Sequence, residues 1–186
     1  MTQSQLIQHI SAFDNPIKVV HLRSEIKQQS FTLSELVDLT FYADEPTATK
    51  ASRLLETMLL KFPKSYLNEI EYMVQRMEDV NCGNCKRHYA KIIRHITSPE
   101  VPREVRNKVA EINFERIVEL CFDWMVDPAM LVSVRASASE ALFNLRHRYP
   151  WIAADLSEHL EYMMRDATPL LRAKGNMILG YLHPED

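Results

Sequence analysis

Apolar residues recur along this chain at the spacing of a single helix face. Ala51, Leu55, Met58 and Phe62 fall at i, i+4, i+7 and i+11, and Tyr66, Ile70, Met73 and Met77 repeat that spacing. Ala110, Phe114, Ile117, Cys121 and Trp124 follow the same pattern over a longer stretch. These stripes have the α-helical period, and no sustained alternation of period two predicts a strand. The methionines lie on the stripes that must be buried, so they read as core filling.

Helix boundaries are marked by capping chemistry. Thr2 with Gln5, and Thr32 with Glu35, have the spacing of capping boxes. Asn15-Pro16, Asp127-Pro128 and Thr168-Pro169 each set a capping side chain before a proline suited to a first helical turn. Pro63 and Pro150 sit at helix ends, where a missing N–H does least harm. The predicted helices are 2–12, 16–28, 32–43, 47–61, 65–78, 85–97, 103–125, 128–148, 151–165 and 169–182. Short connections between them are those of antiparallel helix neighbours.

The chain also resembles itself. At an offset of 87, Ala51-Ser52 meets Ala138-Ser139, Leu55 meets Leu142, Met58 meets Leu145, Lys61 meets Arg148, Phe62 meets Tyr149 and Pro63 meets Pro150. Each segment precedes an amphipathic helix containing Glu-Tyr-Met, at Glu71-Tyr72-Met73 and at Glu161-Tyr162-Met163. At an offset of 37, Val134-Arg135, Ala138, Ala141-Leu142 and Leu145 meet Leu171-Arg172, Gly175, Ile178-Leu179 and Leu182. The small residues Ala138 and Gly175 mark places of close helix approach. One helix pair cannot bury its own apolar face, whereas stacked pairs can.

The stretch Asp127-Pro128 through Val134-Arg135-Ala136-Ser137-Ala138-Ser139-Glu140-Ala141-Leu142 resembles the signature of HEAT and HEAT-like repeats. Asp166, Leu171-Arg172 and Gly175 resemble it less strictly, 47–97 more weakly, 85–125 only in fragments, and 1–46 not at all. The resemblance implies an all-α, right-handed α-α superhelix: a short solenoid of about four helical pairs over 47–186, with 1–46 as N-terminal capping helices in one domain. It also implies a structural ladder pairing aspartate with arginine, here Asp166 and Arg172 and, more loosely, Asp127 and Arg135. The usual work of such a fold is binding protein or nucleic acid.

Composition narrows the function. Three glycines, against about thirteen at the ~7% average, disfavour strand-rich folds and phosphate-cradling loops. They equally exclude the glycine- and serine-rich catalytic loop of the long all-helical lyases. The net charge of −3 gives no global attraction to nucleic acid or anionic membrane. No apolar run approaches the ~20 residues needed to span a bilayer, and no basic segment followed by an apolar region marks a signal peptide. Three cysteines, Cys82, Cys85 and Cys121, do not make a secreted disulfide framework, so a reducing cytoplasmic setting is expected.

Three constellations invite chemistry. Cys82 and Cys85 form a Cys-x-x-Cys ahead of a helix, with His88 one turn on; reduced bystander cysteines, a redox pair and a metal site are the alternatives. The histidines His9, His21, His88, His95, His147, His159 and His183 show no ligand spacing, and exposed positions are expected beside the basic residues. The third is basic: Lys86, Arg87, Lys91, Arg94, Arg103, Arg106 and Lys108 are opposed between 86 and 108 only by Glu100 and Glu104. Arg87, Lys91 and Arg94 share one helix face, which reads either as a solvated face or as an anion-binding strip continuous with Arg103, Arg106 and Lys108.

With no nucleophile–base motif, the expected function is a non-catalytic, macromolecule-binding scaffold, not an enzyme, with no cofactor or metal and no membrane. Its expected partner is a protein, with an acidic segment as the complement of the strip. The alternative is a nucleic-acid-binding protein similar to the HEAT-like proteins of DNA alkylation repair.

Overall fold

The computed structural model describes residues 3–11 and 31–183. The expected helix 16–28, the caps at Thr2 and Asn15-Pro16, and His21 lie outside the described residues, as does the side chain of His9. Every regular element described is helical: α1 (Gln3–Ser11), α2 (Leu33–Leu39), α3 (Glu45–Lys61), α4 (Leu67–Arg76), α5 (Gly83–Ile96), α6 (Arg103–Glu111), α7 (Glu115–Val126), α8 (Val132–Leu145), α9 (Ile152–Met163) and α10 (Pro169–Leu182). Short 3-10 turns at Pro63–Tyr66, Met77–Asp79 and Met164–Asp166 flank α4 and follow α9. No described helix is long and apolar enough to cross a membrane.

Local chemistry sets most boundaries. The capping box at α2 forms: the Thr32 N–H donates to Glu35 Oε2 at 2.7 Å, and the Glu35 N–H to Thr32 Oγ1 at 3.2 Å. Helix α3 starts two residues earlier than expected, because Asp44 accepts from the Thr47 N–H at 3.0 Å and Pro46 fits the first turn. Thr168-Pro169 opens α10, with proline at the first turn but no side-chain cap from Thr168.

Two expected helices are different. The span 103–125 is broken between α6 and α7. Ile112 turns extended, with ψ 135°, and Asn113 Oδ1 accepts from the Glu115 N–H at 2.9 Å. The ends so exposed are held from α8's far end. Arg148 donates to the carbonyls of Val109 and Ile112, and the Phe114 N–H donates to the Tyr149 hydroxyl at 3.1 Å. The break resets the helical phase: Phe114, Ile117, Cys121 and Trp124 are buried, but Ala110 is exposed. The span 128–148 is also shorter. Asp127 closes a turn by accepting from the Ala129 N–H at 2.8 Å, and the helix begins only at Val132.

The helices pack in two rows. In the first, α3, α5, α8 and α10 each lie against the next. Side-chain contacts advance together along each neighbouring pair, so these four helices run parallel. Thr49 meets Cys82 and Glu56 meets His88; Arg94 meets Glu140 and Thr97 meets Asn144; Glu140 meets Lys174 and Phe143 meets Tyr181. In the second row α2 lies against α4 and α4 against α6. There Lys64 meets Glu104, Glu71 meets Lys108 and Glu78 meets Arg116, again in step. Helix α7 packs on α8, and α9 on both α8 and α10.

One continuous apolar cluster joins the described helices. Leu55, Met58, Ile70, Met73, Met77, Ile92, Ile93, Leu142, Leu156 and Ile178 are all fully buried. Sequestering a side chain of this size contributes roughly 1.5–3 kcal/mol. The segments that match at offsets of 87 and 37 are α3, α8 and α10, all members of the first row. Its shared small positions Ala51, Ala138 and Gly175 are buried. At Gly175 the reason is a side chain rather than a helix backbone. A Cβ there would come within 2.5 Å of Met164 Cε, so the thioether of the Met164–Asp166 turn occupies that space.

Candidate functional site

The α5 stripe is built as expected but compensated by carboxylates from distant sequence. Lys91 Nζ lies 3.5 Å from Glu56 Oε1 on α3, and Arg94 lies 3.5 Å from Glu140 Oε1 on α8. Glu140 also accepts Lys174 from α10 at 3.2 Å. Cations and carboxylates therefore alternate across all four helices of the first row. Counting only Glu100 and Glu104 as opposing charges misses Glu56, Glu71 and Glu140. Among the described residues, no ion pair engages Arg87, which is exposed.

The strip is not continuous with α6. Lys108 Nζ turns to Glu71 on α4 at 2.9 Å, with Glu111 at 4.0 Å, and its Glu71 hydrogen bond holds the ammonium pKa above the ordinary value. Arg106 donates to the Pro99 carbonyl at 2.6 Å. Arg103, at the start of α6, is exposed and forms no ion pair within 4.0 Å among the described residues, though, after the Lys64 hydrogen bond, its charge helps hold the neighbouring Glu104 carboxyl low.

His88 is not an exposed charge but a core residue, about 3% accessible, with Nδ1 2.5 Å from Glu56 Oε2. Burial opposes ionisation of Glu56. The His88 hydrogen bond and the Lys91 charge outweigh it and hold the carboxyl below its usual value. His95 is half-buried; desolvation first, then the Arg94 charge, lowers its pKa.

The cysteine pair is also embedded. Cys82 caps α5, its Sγ accepting from the Cys85 N–H at 3.3 Å, while its thiol approaches Glu45 Oε1 at 3.4 Å. Cys85 is fully buried, and desolvation pushes its thiol up to about 11. Cys121 is buried and pushed up to about 12 by the same cause. A thiol held that high is protonated at neutral pH and a poor nucleophile. Among the described residues, no group of three or more His, Cys, Asp and Glu side chains is arranged to hold a metal.

The aspartate–arginine pairs implied by the HEAT resemblance do not form. Arg135 Nε donates to the Met125 carbonyl at 2.9 Å, and Arg172 to the Ala167 carbonyl at 3.4 Å. Asp127 is used within its own turn. Both arginines thus satisfy carbonyls near the end of the preceding element, a role helix C-termini commonly give to cations. Arg135 and Asp166 do line one groove of about 670 Å³ beside Tyr162.

Uncompensated positive charge collects elsewhere. The ends of α5 and α8 and one side of α6 enclose a cleft of about 400 Å³. Arg106, Arg146, His147 and Arg148 line it together with Thr97 and Ser98, and no carboxylate residue does. Its guanidinium groups are held by backbone dipoles. Arg106 is bound to Pro99, Arg146 to the Phe143 carbonyl at 2.6 Å, and Arg148 to Val109 and Ile112. Arg146 also lies over the Phe143 ring, 3.6 Å from its centroid, and partial burial lowers its pKa. Of these residues only Arg106 belongs to the basic cluster visible between 86 and 108. The run Arg146-His147-Arg148 was available as a signal, three cation-forming side chains at a helix C-terminus. Its significance depends on α6 folding back against it. The chain matches no protein-family model, no curated protein and no solved structure.

Proposed function

We propose that this chain is a non-catalytic binding module for another macromolecule, built as a short HEAT-like α-solenoid. The observation that supports this reading is the row of four parallel helices, α3, α5, α8 and α10. Stacking uses their apolar sides, and a series of partly exposed charges, Glu56, Lys91, Arg94, Glu140 and Lys174, runs across the four helices. A row of this kind presents equivalent positions of successive helices side by side, which suits an extended partner. The partner proposed is a protein with an acidic segment, and the exposed cations of the basic cluster with no hydrogen bond or ion pair among the described residues are Arg87 on α5 and Arg103 on α6. Lys91, Arg94 and Lys108 would first have to give up carboxylates of their own.

The test is affinity capture from the source organism, followed by titration of the purified partner. Wild type and the double variant Arg87→Glu/Arg103→Glu are compared. Both residues are exposed, so the variant keeps the wild-type melting temperature, and partner affinity falls at least tenfold. Unchanged affinity in the folded double variant contradicts the proposed surface.

Nucleic acid is the second reading, favoured by the carboxylate-free arginine cleft. It requires duplex binding that weakens steeply as salt rises.

A further inference from the structure

We propose that the cleft between the ends of α5 and α8 and the side of α6 is a binding site for a phosphate monoester, with Arg106, Arg146 and Arg148 as its anion ligands. This inference does not depend on the partner reading above.

Three observations carry it. The first is charge: three arginine residues line one cleft with no carboxylate residue among its walls. Carboxylates nearby in sequence are turned away or engaged elsewhere. Glu104 holds Lys64, Glu111 approaches Lys108, Glu140 holds Arg94 and Lys174, and Glu100 does not line the cleft.

The second is pre-organisation. These guanidiniums donate to backbone carbonyls, and Arg146 and Arg148 also lie over aromatic rings; both kinds of contact fix the planar group without cancelling its charge. An arginine has five N–H donors, and the carbonyls take one at Arg106, one at Arg146 and two at Arg148. Most of the donors stay available to oxygen acceptors. Guanidinium suits a phosphate because two parallel N–H groups match two of its oxygens.

The third is the rest of the wall. Val109 and the half-buried Phe143 give it an apolar side, and Thr97, Ser98 and Asn144 are neutral polar residues of its lining. A volume of about 400 Å³ suits a small organic molecule rather than an ion alone. The expected ligand therefore has a dianionic phosphate at the arginines and a compact organic part against the apolar side.

Calorimetric titration at low ionic strength tests the site with phenyl phosphate and with inorganic phosphate. Phenyl phosphate is expected to bind one to one and more tightly than inorganic phosphate. Equal affinities would still support the anion site and would assign the phosphate ion itself as the ligand. Arg106→Gln and Arg146→Gln are each expected to weaken binding at least about tenfold, since each removes charged hydrogen bonds. Arg87→Gln, outside the cleft, serves as the control and leaves affinity unchanged. Arg148 is avoided as a probe because it braces the break between α6 and α7; Arg146→Lys, which keeps the charge but loses the planar fork, takes its place and binds more weakly than wild type. Overturning results are the absence of saturable binding by either phosphate, or equal weakening by Arg87→Gln and the cleft variants. A short oligonucleotide that binds tightly and ignores Arg146→Gln would also overturn the proposal, by assigning the anion affinity to another surface.

Discussion

The α5 stripe and the cleft at the end of α8 hold similar numbers of basic side chains and have opposite fates. On the stripe, Lys91 and Arg94 meet carboxylates from α3 and α8. In the cleft, Arg106, Arg146 and Arg148 meet carbonyl dipoles and, at Arg146 and Arg148, aromatic rings, but no carboxylate among the described residues. A carboxylate cancels a cation's field at a distance, while a carbonyl orients the cation and leaves that field in place. Where the charge remains is therefore decided by which helices become neighbours, not by the sum along a stretch of sequence.

Breaking the cleft's framework has the largest expected effect. Arg148→Ala uncovers the carbonyls of Val109 and Ile112 and removes contacts near Phe114 and Tyr149. It is expected to cost about 3 kcal/mol, or a melting temperature lower by roughly 6–12 °C for a chain of this size.

Glu56→Gln comes next, because it leaves buried His88 and Lys91 without their shared carboxylate. A loss of about 2 kcal/mol is expected by denaturant titration, less than for a wholly buried pair. The folded-state pKa of Glu56 is depressed. Its stabilising contribution is thus fully present above the ordinary value of 4.5 and lost as pH falls through the folded pKa. In Glu56→Gln that part of the acid-side decline disappears.

Arg94→Glu places like charge against Glu140. It is expected to cost about 1 kcal/mol, since the Arg94 side chain is partly exposed. His95 sharpens the same region. Its folded pKa lies below the ordinary 6.5, so the unfolded chain binds the proton more readily and stability declines as pH falls from 6.5 toward the folded pKa. Removing the Arg94 charge with Arg94→Gln raises the His95 pKa, a shift read directly from its ring resonances by NMR. The smallest effect is at Arg87→Glu, where stability changes by less than about 0.5 kcal/mol.

What was legible in the sequence follows the range of the interactions involved. The capping box at Thr32 and Glu35 is local, and it forms as the spacing implies. The offsets of 87 and 37 pick out α3, α8 and α10, three of the four helices that lie side by side in the first row. Pro169 opens α10 where expected. The break at 112–114 was hidden because Phe114, Ile117 and Cys121 continue the apolar spacing of Ala110. What separates α6 from α7 is Asn113 as a cap and Arg148 with Tyr149 as braces. Asn113 is a cap visible in the sequence; the braces are not, coming from another helix. The burial of His88 and the neutralisation of Lys91 were likewise invisible, because Glu56 lies 32 residues before His88. The cleft follows from the break alone, since it exists only where α6 turns back toward the end of α8.

Helices run in parallel rows, and their charges compensate from one helix to the next. Zero-length carbodiimide cross-linking of the folded protein, read by peptide mass spectrometry, tests this most directly, since it joins only amines and carboxylates already in contact. The predicted links are Lys91 to Glu56, Lys174 to Glu140, Lys108 to Glu71 and Lys64 to Glu104, all between neighbouring helices. Absence of the first two, with Lys91 joined instead to Glu100 or Glu104, would contradict the rows and the compensation they provide.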